Sequence, residues 1–131
     1  MTLGLFFMQV AGQAALARVT INTIAVTGDP APDANGTFSD FGEPALNDTG
    51  QAAFMSVLAG TSENNGIFRG DGTSGLVQIA REGETAPDAN GTFSFITSPA
   101  LNDAGQAAFW ANLTSGGIPD SEGIFRGDGT S

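Results

Sequence analysis

The residues best suited to chemistry in this chain are its carboxylates. Fourteen Asp and Glu stand against four Arg, a net charge of −10 over 131 residues. Two pairs, Asp48 with Asp103 and Asp71 with Asp128, have the residue type a glycosidase needs, an acid and a base or nucleophile at a fixed separation. Within each pair, however, the two residues hold matching places in a duplicated segment. Positions copied in every repeat serve turns, and one asymmetric active site rarely grows from them. No catalytic residue is assigned, and the chain is read as a non-enzyme. The missing residue types close other routes. There is no Cys and no His, so there is no thiolate or imidazole zinc site, no Cys nucleophile and no Ser-His-Asp triad. There is no Lys for a Schiff base or a phosphate-binding loop. So acidic a chain repels phosphate, which argues against nucleic acid and anionic membrane surfaces as partners.

Acidic turns are the remaining candidates for an ion. Asp29 and Asp33 lie near Asn35, and Glu82, Glu84, Asp88 and Asn90 follow loosely in the second copy. Asp29, Asp33 and Asp88 are the candidate Ca²⁺ ligands. Ca²⁺ takes about six to eight oxygens, and no EF-hand or nonapeptide calcium pattern is present. These side chains therefore read first as turn caps, and no cofactor is required. Arg69-Gly70-Asp71 and Arg126-Gly127-Asp128 spell an integrin-type tripeptide, but each follows a strand and reads as a hairpin turn. Asn35, Asn47, Asn90 and Asn112 begin Asn-x-Thr sequons, so a glycan is a candidate attachment, set against plain turn roles. Trp110, in place of Met55, is either a sugar platform or, on the favoured reading, packing at a sheet interface.

The elements that must carry these residues come from a duplication. Ala31–Phe38 returns as Ala86–Phe93, a shift of 55, and Gly50–Phe54 returns as Gly105–Phe109 at the same shift. Gly66–Ser74 returns as Gly123–Ser131 at 57, so two residues are inserted after Asn112. A period near 50 marks one supersecondary unit copied in tandem, whose apolar faces are buried against neighbours. Residues 75–80, 92–96, 106–113 and 123–126 read as short strands from their apolar and β-branched content. Pro87–Gly91, Leu101–Gly105 and Gly127–Gly129 read as turns, with Asn-Gly taking positive φ. Small Ala107 and Ala108 predict close approach of another sheet. The fold class is all-β: tandem four-stranded antiparallel units of about 55 residues, propeller-blade-like, completed between subunits.

Asn47-x-x-Gly50-x-x-Ala53-Phe54 and Asn102-x-x-Gly105-x-x-Ala108-Phe109 resemble the signature of the bacterial choice-of-anchor tandem repeat NxxGxxAF-containing proteins. The likeness spans about residues 24–131 and includes Gly-Ile-Phe-Arg-Gly-Asp-Gly. It implies an exported, surface-associated bacterial protein of repeated β units with no established enzymatic activity. This chain departs from it in having two repeats and no recognisable C-terminal anchor.

The predicted organisation is an apolar segment over 1–23, one repeat over 24–78 and a second over 79–131. In the first repeat Gly-Asp-Gly-Thr-Ser runs on into Gly75-Leu-Val-Gln-Ile-Ala80. The second copy of that turn has no such continuation, so its hairpin lacks a strand. Ile24-Ala25 aligns with Ile79-Ala80, so residues 18–26 match the missing strand. Rings of blades need about four to eight units, which favours a neighbouring subunit as donor. Residues 1–17 read either as a signal-peptide core or as a partial repeat, since Gly12–Leu16 copies Gly50–Phe54. The run is too short to span a bilayer as a helix. The expected assembly residues are Leu5, Phe7, Leu16, Val19, Ile21, Ile24, Ile124 and Phe125. The expected function is a self-assembling extracellular or cell-surface protein whose main partner is itself, in a fibril or oligomer. The alternative is a propeller-type module binding carbohydrate or protein.

Overall fold

The computed structural model describes residues 17–115 and 118–130. It is all-β. Among the described residues nine strands run in order: β1 (Thr37–Phe41), β2 (Ala45–Leu46), β3 (Ala52–Ala59), β4 (Asn65–Gly70), β5 (Val77–Arg81), β6 (Thr92–Ile96), β7 (Ala100–Leu101), β8 (Ala107–Ser115) and β9 (Ile118–Gly127). They form two antiparallel sheets. In the first, β1 and β2 pair with successive stretches of β3, followed by β4 and then β5. In the second, β6 and β7 pair with β8 in the same way, and β9 pairs along its other side. Neither sheet closes on itself, and the described residues form no propeller ring.

The second sheet repeats the first in register. Phe38 faces Leu58, and Phe93 faces Leu113; Phe54 faces Phe68, and Phe109 faces Phe125. Even the irregularity recurs, with a register shift between Phe38 and Asp40 and another between Phe93 and Phe95. Such a bulge bends the strand and turns the following side chain.

Period-2 alternation decides which face each side chain takes. On one face of the first sheet, Phe38, Phe54, Phe68, Leu58 and Ala31 form a buried cluster against Ile24, Ala25 and Leu76. The other face packs on the second sheet. There Ala53, Ile67 and Ala80 join Phe93, Ile96, Ala107, Phe109, Ala111 and Leu113. Ala107 sits fully buried at this contact, as its small size predicts. The phenylalanines stack alike in the two sheets. Phe38 and Phe68 lie edge-to-face at 5.0 Å and 88°, and Phe93 and Phe125 at 4.9 Å and 89°. Each such pair contributes about 0.5–1.5 kcal/mol beyond its burial.

Two details differ from the sequence expectation. The predicted boundary between residues 78 and 79 falls inside β5. That strand hydrogen-bonds to β4 of the first sheet while Ile79 and Ala80 pack in the core of the second. The Pro87–Ala89 segment is a 3₁₀ turn in which Asp88 and Ala89, not Asn90, take positive φ; Asn90 has φ −74°. Asn90 instead closes the turn, donating from its backbone and side chain to the Pro87 carbonyl.

Candidate functional site

The signature residues build a turn, and the two turns stack. In each turn the Asn side chain does what a backbone would do in a longer loop. Asn47 Oδ1 accepts from the Gln51 N–H at 2.8 Å, and Asn102 Oδ1 accepts from Gln106 N–H at 2.9 Å. The Asn amide then donates to the Gln side chain, at 2.9 Å and 3.0 Å. Gly50 and Gly105 have φ of 86° and 79°, in the left-handed region that favours glycine. Ala53 is sealed between the sheets and Ala108 is half-buried on the far face of the second, while Phe54 and Phe109 face their own repeat's cluster. The spacing Asn-x-x-Gly-x-x-Ala-Phe is thus a closed turn followed by a strand that buries its Phe on one face and, in the first repeat, its Ala on the other.

Three bonds tie the first repeat to the second turn, two from the first turn and one from β4. Asn47 Nδ2 donates to the Asn102 carbonyl at 3.0 Å, and the Asp48 N–H donates to the Asp103 carboxylate at 2.9 Å. The Arg69 guanidinium donates to the Gly105 carbonyl. Asn47 is consequently buried while Asn102 is exposed, and Gly105 is buried while Gly50 is exposed. In this rung the first repeat donates and the second accepts, which leaves among the described residues an unmatched donor side on the second repeat and an unmatched acceptor side on the first.

Arg81 makes a second junction. It is 2% exposed, forms an ion pair with Asp33 at 3.3 Å, and donates to the carbonyls of Glu63 and Asn35. The sequence reading passed over it. The available signal was that Arg81 replaces Val26 of the first copy in an otherwise apolar run.

The chemistry-bearing candidates take structural places. Asp48 and Asp103 belong to the ladder. Asp71 accepts from the backbone N–H groups and hydroxyls of Thr73 and Ser74, which hold its carboxyl well below the usual carboxylate range, the Ser74 N–H most of all. Asp128 accepts from the hydroxyl and N–H of Thr130, which lower it likewise. Both Arg-Gly-Asp tripeptides are therefore strand-ending turns whose Asp is folded back on its own loop. Of the calcium candidates, Asp29 accepts from the Val26 N–H, Asp33 faces Arg81, and Asp88 sits in the 3₁₀ turn. No group of three or more acidic residues gathers among the described residues.

Among the sequons, Asn35 and Asn90 are exposed and Asn112 is half-buried. Asn47 is corrected: it is 7% exposed with its amide bonded twice, leaving no room for a sugar. Trp110 is half-buried, edge-on to exposed Phe95 at 6.1 Å.

Of the expected assembly residues, Leu5, Phe7 and Leu16 lie outside the described residues. Val19 and Ile21 stand in solvent, Ile24 packs on the first cluster, Phe125 packs on the second, and Ile124 is 74% exposed. Residues 22–25 occupy in the first repeat the place that 77–80 occupy in the second. A methyl on Gly70 would meet Ile24 at 3.3 Å, and one on Gly127 would meet Ile79 at 3.3 Å. Beside them an open apolar pocket of about 360 Å³ is lined by Ile24, Ala25, Phe41, Pro44, Ala52 and Phe54.

The fold and its stacked turns define an all-β chain whose two sheets repeat one pairing. Residues 11–131 match DUF7453, a family of unknown function, and the chain belongs to that family. No curated protein and no solved structure matches it. Among the described residues no helix is long and apolar enough to cross a membrane.

Proposed function

We propose that this chain is a non-catalytic structural protein whose copies join head-to-tail outside the cell, into a fibril or oligomer. An extended segment of one copy completes the open sheet edge of the next, so that each blade-like unit is finished between subunits. One observation carries this reading. β4 lies between β3 and β5, whereas its counterpart β9 has a partner only in β8 among the described residues. An unpaired edge presents a row of free N–H and C=O groups, and strand addition satisfies them. The segment around Ile24 matches β5 in sequence and in placement. Head-to-tail contacts that do not close make filaments. The resemblance to surface-associated choice-of-anchor repeat proteins supports the extracellular location.

Deletion of residues 1–23 tests it. The shortened chain should remain soluble and monomeric under conditions where the full chain gives polymers in negative-stain images. Polymers of unchanged form would overturn the proposal, and compact discs of uniform size would replace it with a closed, binding-type ring.

A further inference from the structure

The junction between the two sheets is a finished example of a contact, and the molecule carries both halves of it again, without a partner among the described residues. On the finished side, Ile67 is 0% exposed, sealed into the cluster that holds Ala80, Ile96, Ala107 and Phe109. Its counterpart Ile124, 57 residues on, is 74% exposed and pairs with Trp110 as Ile67 pairs with Met55. At the other end, the counterparts of Ala80, Ile96, Ala107 and Phe109 are Ala25, Phe41, Ala52 and Phe54, 55 residues earlier. Those four line the open 360 Å³ pocket. The polar ladder is divided the same way. Arg69 reaches the Gly105 carbonyl, whereas Arg126 is exposed and so is Gly50.

Resting on the proposed head-to-tail reading, we infer that the far face of the second sheet is a docking surface for the first sheet of a second copy. Ile124 and Trp110 enter the pocket bounded by Ala25, Phe41, Ala52 and Phe54. Arg126 donates to the Gly50 carbonyl of the next copy, and the exposed Asn102 turn stacks beneath its Asn47 turn. The register follows from the internal junction. Gly66 pairs with Arg81, Ile67 with Ala80 and Arg69 with Val77, so Gly123 meets Val26, Ile124 meets Ala25 and Arg126 meets Asn22 of the partner. Strand addition alone fixes neither face nor register; the knob, the pocket and the turn ladder fix both. A second copy is the occupant because the sheet that already covers the equivalent face has the same sequence pattern as the one proposed to cover this one.

The absence of cysteine makes the register measurable. Ile124→Cys and Ala25→Cys are made in separate full-length chains, mixed and oxidised. Directly opposed antiparallel residues lie about 4.5–5.5 Å apart at Cα, within disulfide range. The mixed disulfide should form at least about tenfold faster than that between Ile124→Cys and Asn90→Cys, since exposed Asn90 lines a hollow beside its own chain's Ile124, away from the pocket proposed to receive the partner. Alongside, Ile124→Asp should weaken association at least about tenfold, with the monomer's thermal melt unchanged because the site is exposed. Assemblies that form while the disulfide does not, or that tolerate Ile124→Asp, overturn this face and register and leave strand donation standing. Full-length chain that stays monomeric at millimolar concentration overturns both.

Discussion

Ile67 and Ile124 hold the same place in the two sheets, yet one is sealed and the other stands in solvent. The same division runs through the molecule. Ile96 is 0% exposed where Phe41 is 36% exposed. Asn47 is buried where Asn102 is open, and Gly105 is covered where Gly50 is free. The two repeats share pairings, bulges and ring geometry, so none of these differences comes from the sheets themselves. They come from what lies against each face. The first repeat has a neighbour on its far side, and the second has one on its near side. Equivalent residues therefore report the presence of a partner, as a mutational comparison would.

Paired substitutions exploit this, and the apolar pair should give the largest effect. Ile67→Ala should cost about 2–5 kcal/mol in a urea melt, by lost transfer energy and a cavity between the sheets. Ile124→Ala should change monomer stability by less than about 0.5 kcal/mol. Equal losses would break the equivalence. The signature Asn comes next. Asn47→Ala removes the turn closure and the bond to Asn102, for about 1–3 kcal/mol, while Asn102→Ala removes only the closure, for about 0.5–1.5 kcal/mol. The glycines give the finest distinction. Both have positive φ, so alanine costs about 1 kcal/mol at either from backbone strain. A methyl on Gly50 meets nothing within 4 Å, whereas one on Gly105 meets Arg69 Nη1 at 2.8 Å. Gly105→Ala should therefore exceed Gly50→Ala by about 1 kcal/mol in the same melts, through displacement of the guanidinium from its carbonyl.

Much of the fold was legible in the letters. Alternation over Thr92–Ile96 and the apolar run 106–113 place β6 and β8, and of the two small alanines Ala107 marks where the sheets meet while Ala108 is half-buried on the far face. The two-residue strands β2 and β7 were not legible, since Ala-Leu carries no period. The bulges at Ser39 and Ser94 were hidden for a similar reason: an extra residue shows only against the strand opposite. The Asn-Gly expectation held for Gly36 and Gly91, which take positive φ, but not for the Asn before each, because neighbouring Ala34, Asp88 and Ala89 take the left-handed geometry instead. The signature Asn residues were recognised as a motif, but Asn47 was also offered as a sugar acceptor. Its exposure could not be read from four letters that recur at Asn102 in different surroundings. Arg81 went unmarked because a charged residue ending a strand looks like a solvated edge, and only the fold brings Asp33 and the Glu63 carbonyl to it.

β5 belongs to both sheets at once, through its backbone to one and its side chains to the other. No linker separates the two, so neither can swing or melt without disturbing its neighbour. A row of such units would bend as a rod does, by elastic strain spread along its length, rather than pivoting at joints like beads on a thread.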